Sequence, residues 1–329
     1  MQITLEGHAE AVPVEAGDTI LASLLRAGVS FPFSCQAGNC GTCKCELVSG
    51  DVLELEHSEH ALAPEERAKG IVLACRTQVW DDAVVRRIDA EELVLHPSRV
   101  MRCRVVELED LTHDIKGVRL AVEAGGPFLF SAGQYAQVEF APGLSRHYSM
   151  ANTPQDAELV FHIRHMPGGR TSAYAAMQLK AGDKVKVSGP LGVAYLRDSH
   201  AGPALLVAGG SGLAPIQSIL RTMLEQRHAA PVTLYFGVRS ERDLYHEALL
   251  KDLAARHNNF SYQVVLSEQK GAAGRSYGLV HQAIELPPDT GAVMAYLAGP
   301  PVMVEAATAL LASRGLAPRQ IHADAFYNQ

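Results

Sequence analysis

Two periodicities divide this chain. Residues 98 to 199 alternate apolar and polar in period 2, through RCRVVELE, YAQVEF, LVFHIRH and DKVKVSG, with Gly and Pro between. That alternation predicts an antiparallel barrel, each strand burying one face. After DSHAGP the pattern changes: ALLVA is a continuous apolar run, and Ile216, Ile219, Leu220, Met223 and Leu224 follow at helical spacing with Pro215 at the first helical position. VTLYFGV, YQVVL and AVMAYLAG supply further strands between helical stretches, so residues 200 to 329 read as parallel α/β. Residues 1 to 92 match neither pattern. There GDTILASLLRAG predicts a short helix on flanking strands, with Asp18 as N-cap, Ile20, Leu21, Leu24 and Leu25 on one face and Gly28 as the stop. The charged stretch broken at Pro97 marks the boundary. The expected architecture is multidomain, α+β and α/β.

Length agrees, since 329 residues exceed one ordinary core and leave each domain large enough to fold without disulfides. No run approaches the ~20 apolar residues of a membrane span, and 29 Lys/Arg against 36 Asp/Glu leave no basic footprint for nucleic acid. MQITLEGHAE has no basic head followed by an apolar core, so the expectation is a cytoplasmic protein, monomeric, with reduced thiols. The charge is uneven. Residues 1 to 92 carry 16 acidic and 7 basic side chains, against 20 and 22 in the remainder. That acidic head is either a solvated face or a docking surface.

Four of the six cysteines fall in CQAGNCGTCKC. Cys35, Cys40 and Cys43 have four and then two residues between them, and Cys75 follows after 31 more. This is the plant-type spacing for a [2Fe–2S] cluster: three thiolates on one loop and a fourth from a distant segment surround the rhomb. Gly38 and Gly41 let backbone amides approach the sulfur charge. A structural zinc site would more often pair two CxxC or CxxH knuckles. Cys45 reads as a small buried residue at the cluster's rim, and Cys103 as core.

With this loop the head resembles a plant-type ferredoxin of β-grasp fold, fused to a reductase of the ferredoxin-NADP reductase superfamily. SRHYSMAN resembles that superfamily's flavin motif, which implies that Arg146 binds the flavin phosphate, Tyr148 packs on the isoalloxazine and Ser149 approaches the ring. Period 2 alone already puts Arg146 and Tyr148 on one side of a strand. FHIRHMPGGRTS resembles the second flavin element, implying that Gly168, Gly169, Arg170, Thr171 and Ser172 meet the pyrophosphate at a helix start while His162, Ile163 and Arg164 run along the ring edge. FSAGQY and SGPLG fit the same pattern, with Ala132 where the family often has proline.

VAGGSGLAP, between a buried strand and a helix, is the context of a phosphate-binding turn, with Gly209, Gly210, Ser211 and Gly212 as its candidates; on its own it suits close packing equally well. LAGPPVMVEA resembles the second nicotinamide element, with Gly299 and Pro300 near the reacting carbon and Ala298 where relatives often have cysteine. Asp324 and Phe326, in IHADAFYNQ, match the acidic and aromatic residues that relatives set against the flavin face. Tyr148, Ser149, Asp324 and Phe326 are therefore the catalytic candidates. Arg239, just past YFGV, could pair a 2′-phosphate, with Glu241 and Asp243 close behind; the family implies NADH as the better donor, with NADPH also accepted.

NADH delivers two electrons and an iron–sulfur cluster accepts one at a time, so a flavin must stand between them. FAD is expected over FMN. GPLGVAYLR, YFGVRS and IHADAFY bring the resemblance closest to reductase components of Rieske-type aromatic-ring-hydroxylating oxygenases of the naphthalene dioxygenase kind. The implied partner is the oxygenase or an intermediary ferredoxin. The alternatives are a diiron monooxygenase or a deoxysugar dehydratase as partner, or a zinc-stabilised interaction module without enzymatic activity.

Overall fold

The computed structural model describes every residue except 30, 34, 35, 39, 40, 60, 89–93, 95, 328 and 329. The chain falls into two units, Met1–Leu95 and His96–Gln329.

In the first unit five strands run in the order Val12–Pro13, Gln2–Leu5, Ala83–Arg87, Lys44–Ser49, Ile71–Leu73. Gln2–Leu5 and Ala83–Arg87 are parallel and the other pairs antiparallel. The helix is Ile20–Arg26, with Ile20, Leu21 and Leu24 buried, Leu25 half-buried and Ser23 taking a core place. Its N-cap is Thr19 rather than Asp18. Thr19 has the extended backbone a cap needs, and its hydroxyl accepts from Ala22 N at 3.2 Å; Asp18 instead pairs with Arg26 at the other end of the helix. The helix packs on the short turn Ala74–Arg76, which carries Cys75.

The second unit begins with a six-stranded antiparallel sheet, ordered Leu144–Ser149, Tyr135–Ala141, Lys184–Leu191, Arg99–Asp110, Ile115–Ala124, Glu158–Arg164. Its two edges meet where Met150 bridges to Phe161 and Ala151 N donates to Val160 O at 2.8 Å, so the sheet curls. Alternate residues fill the interior: Met101, Cys103 and Val105 on one strand, Leu159, Phe161 and Ile163 on another. Period 2 was legible because only this face is dry.

A six-stranded parallel sheet follows, ordered Ser276–Tyr277, Phe260–Leu266, Val232–Val238, Ala204–Gly209, Met294–Gly299, Ile321–Ala325. Ala204–Gly209 is buried throughout: Leu206 and Ala208 meet Leu220 and Met223 on one face, while Leu205 and Val207 meet Val304 and Leu311 on the other. This two-sided burial is why its sequence is an unbroken apolar run. The next strand in sequence lies on one side of it and Met294–Gly299 on the other, which makes its carboxyl end the topological switch point where such sheets bind ligands. The helix there, Leu213–Glu225, opens two residues before Pro215, through the turn Gly210–Gly212. Pro215 still lies in the first turn, where a missing N–H costs nothing. Among the described residues no helix is long and apolar enough to cross a membrane.

Candidate redox sites

The cysteine loop is tied down on both sides. Ser58 N donates to Gly38 O at 3.0 Å and Ala74 N to Cys43 O at 2.9 Å. The second tie brings Cys75 to Cys43, both buried, and Cys75 N–H points at Cys43 Sγ at 3.4 Å. An amide aimed at sulfur, between cysteines from two distant segments, fits thiolate ligands of a cluster. Cys35 and Cys40 lie outside the described residues. Gly38 has φ +76°, and a Cβ there would come within 2.8 Å of both His57 and Arg76, so only glycine follows this path. Cys45 is buried in the sheet opposite Val72, and burial pushes its thiol up to about 12. Cys103 lies in the barrel core. Both stay protonated, as small apolar residues.

On Leu144–Ser149, Arg146 lies opposite Val138 and Tyr148 opposite Ala136, the shared side that alternation predicts. Arg146 is exposed, its Nη1 donating to Ser145 O at 3.0 Å, so its guanidinium can turn to an anion. Tyr148 is half-buried beside Phe140, and burial pushes its phenol up to about 12. Gly168 and Gly169 lead into the helix Arg170–Met177, whose first amides have no partners within the helix. Thr171 and Ser172 are buried, and the Ser172 hydroxyl accepts from Met166 N and donates to Gly169 O, both at 3.1 Å. That hydroxyl holds the turn.

His162, Ile163 and Arg164 divide between two faces of their strand. Ile163 fills the barrel interior. His162 is buried against Tyr245 and His246 of the parallel-sheet lobe, with Nδ1 3.1 Å from the Tyr245 hydroxyl, and Arg164 pairs with Asp114 at 2.9 Å. The Tyr245 hydroxyl also lies 3.4 Å from Gly210 O, in the glycine turn.

At the switch point Gly209 and Gly212 pack against Gly299 and Pro300, with Gly210 and Ser211 between them in the turn. A Cβ on Gly212 would lie 2.1 Å from Ala298 O, so close packing alone requires glycine there. Asp324 sits opposite Ala298 in the sheet, and Phe326 N donates to Gly299 O at 2.9 Å. A buried bond joins this end of the sheet to the barrel: Ser149 Oγ donates to Asp324 Oδ2 at 3.2 Å, with both residues buried. Burial pushes the Asp324 carboxyl up to about 6 against the opposing pull of Ser149. Two catalytic candidates 175 positions apart thus meet across the lobes.

Arg239 does not stand open. Its Nη2 pairs with Asp243 Oδ1 at 2.6 Å and with Asp114 Oδ2 at 3.3 Å. Sequence reading missed Asp114, Tyr245 and His246. A Thr-x-Asp turn at residues 112–114 was visible in the sequence, but nothing local ties it to a residue 125 positions away.

A curled antiparallel sheet, a parallel sheet whose switch point abuts it and a cysteine loop of plant-type spacing together define an iron–sulfur flavoprotein oxidoreductase. Its sequence matches three family descriptions: a 2Fe-2S iron–sulfur cluster binding domain at residues 3–79, an oxidoreductase FAD-binding domain at 102–195 and an oxidoreductase NAD-binding domain at 206–309. It is 42% identical, over 99% of both chains, to the ferredoxin–NAD(P)+ reductase component of naphthalene 1,2-dioxygenase/salicylate 5-hydroxylase systems from a Ralstonia species. To the naphthalene 1,2-dioxygenase reductase component of Pseudomonas putida it is 40% identical, again over 99% of each. The crystal structure of an Amycolatopsis cytochrome P450 reductase superposes with a TM-score of 0.82 at 37% identity, covering 99% of this chain and 98% of that one. The chain belongs to this family of ferredoxin–NAD(P)+ reductase components, within the ferredoxin-NADP reductase superfamily.

Proposed function

We propose that this reductase takes hydride from NADH, and less readily from NADPH, and delivers single electrons to a Rieske-type aromatic-ring-hydroxylating oxygenase or its ferredoxin. In this reading residues 1–92 form a β-grasp ferredoxin domain, 98–199 a Greek-key flavin barrel and 200–329 the nicotinamide domain of a monomer working in the reducing cytoplasm. Cys35, Cys40, Cys43 and Cys75 hold the [2Fe–2S] cluster. Arg146 and the amides of 168–172 hold FAD, and the turn 209–212 with Gly299 and Pro300 receives the nicotinamide. The bound flavin supplies the exchange between two-electron and one-electron chemistry.

The observation that carries this reading is the Ser149–Asp324 bond. It fixes a hydroxyl from the proposed flavin strand beside the carboxyl end of the nicotinamide sheet, where the two reactants have to meet. Asp324 accepts at Oδ2 and so directs the Ser149 proton; Tyr148 stays a neutral phenol at any working pH, and Phe326, anchored to Gly299, helps exclude water.

Purified protein should contain iron, acid-labile sulfide and one FAD, and should reduce ferricyanide with NADH. Cys40→Ser should lose the cluster and keep the flavin. Zinc without sulfide would overturn the reading. The naphthalene-type oxygenase is preferred as acceptor because the relatives at 42% and 40% identity carry that name. NADH-driven turnover with candidate oxygenases tests the choice.

A further inference from the structure

Arg239 follows directly on the strand Val232–Val238, next to Ala204–Gly209 in the parallel sheet. A residue so placed lies where a dinucleotide's adenosine ribose is read, acidic side chains there favouring the 2′-hydroxyl and arginine a 2′-phosphate. Here the arginine is present but engaged. Asp243 holds it from its own lobe and is itself fixed by the Ser240 amide at 3.0 Å and the Ser240 hydroxyl at 2.7 Å. Asp114 holds it from the flavin barrel and is fixed in turn by Arg164 at 2.9 Å. Glu268, whose backbone N–H donates to Arg239 O at 2.9 Å, adds a third carboxylate charge at longer range, without an ion pair of its own to the guanidinium. Three carboxylates against two guanidinium groups leave the cluster negative.

We infer that Asp114 and Asp243 are specificity-determining residues for the coenzyme: by clasping Arg239 across the two lobes they deny it to a 2′-phosphate and make the site select NADH over NADPH. The inference rests on the proposed nicotinamide reading and adds to it the two residues choosing between the coenzymes, one of them contributed by the flavin barrel. A 2′-phosphate, dianionic at neutral pH, must either displace a carboxylate from Arg239 or sit beside uncompensated negative charge. A ribose hydroxyl pays neither cost. The bond between Arg239 and Asp243 holds the guanidinium firmly in its charged form, as does the charge of Asp114. The spacing of His113, Asp114 and Asp243 would also suit a cation, but the two arginines already occupy that charge.

The test uses the full-length holoenzyme at fixed ionic strength, with 2′,5′-ADP and 5′-AMP as calorimetric probes and the NADPH to NADH ratio of kcat/KM as the kinetic readout. Asp114→Asn keeps the shape and removes the charge. It should tighten 2′,5′-ADP relative to 5′-AMP, and raise the kinetic ratio, by about fivefold or more. Asp243→Asn should act in the same direction. Adding Arg239→Ala to Asp114→Asn should abolish the gain, whereas Arg239→Ala alone should change the ratio little, the non-additivity expected of side chains in direct contact. Unchanged ratios in both Asn variants, with the wild type oxidising NADH and binding 5′-AMP, would overturn the inference and leave the functional reading standing. A wild type that binds neither probe and oxidises neither coenzyme would overturn both.

Discussion

Asp324 is a carboxyl kept from water and given one hydroxyl partner, and its titration follows from that. Its folded value of about 6 lies above the ordinary ~3.9. Below pH ~4 the folded and unfolded chains both carry the proton and the residue costs nothing; above pH ~6 the folded state must bury a charge that the unfolded state leaves in water. The loss, accumulating between these values, is about 3 kcal/mol. Asp324→Asn should therefore melt several degrees above the wild type at pH 8, the gap closing towards pH 4 in thermal scans. Hydride transfer should respond differently. Ser149→Ala should slow NADH-driven ferricyanide reduction about tenfold or more, and Asp324→Asn should remove the step near pH 6 from its pH profile. Retention of that step would assign it to another group.

Elements were easier to read than their ends or their partners. The barrel strands showed themselves because one wet face alternates with one dry face, and the strand Ala204–Gly209 because both its faces are dry. Helix starts depend on a single side chain's conformation, so Asp18 and Thr19 could not be told apart by residue type; both are good caps. Thr19→Ala should cost about 1 kcal/mol in denaturant unfolding of the head, and Asp18→Ala less, since its ion pair with Arg26 is at the surface. The flavin motifs and the first three cysteines of the cluster pattern could be read because their spacing is local, while Cys75 follows only after 31 more residues. The bonds that align the lobes, Ser149 to Asp324 and Asp114 to Arg239, connect residues far apart in sequence, and only the fold brings them within reach. Gly212 belongs with the elements too. Gly212→Ala would drive a methyl into Ala298 O, and it should abolish NADH oxidation while the visible spectrum of the bound flavin remains.

At the scale of the molecule the division after Leu95 separates an acidic head from a body with its own cores. A fragment from Pro97 onward should fold, bind FAD and reduce ferricyanide with NADH, yet fail with cytochrome c or the oxygenase component. Attraction between exposed charges is screened over ~8 Å at physiological salt, so if the acceptor's docking face is basic, the intact enzyme should lose rate with ionic strength more steeply towards a protein acceptor than towards ferricyanide. A fragment as fast as the whole chain with cytochrome c would place the electron exit at the flavin. The strand Glu158–Arg164 has the opposite character, since Phe161 and Ile163 line the barrel while His162 and Arg164 reach the neighbouring lobe or its clasp. For an evolving gene this sets where shuffling is tolerated. Exchanging the segment before residue 96 with that of a relative should yield working chimaeras. A crossover between the lobes would inherit half of each shared contact, and a one-residue deletion in that strand would turn both sets of side chains the wrong way.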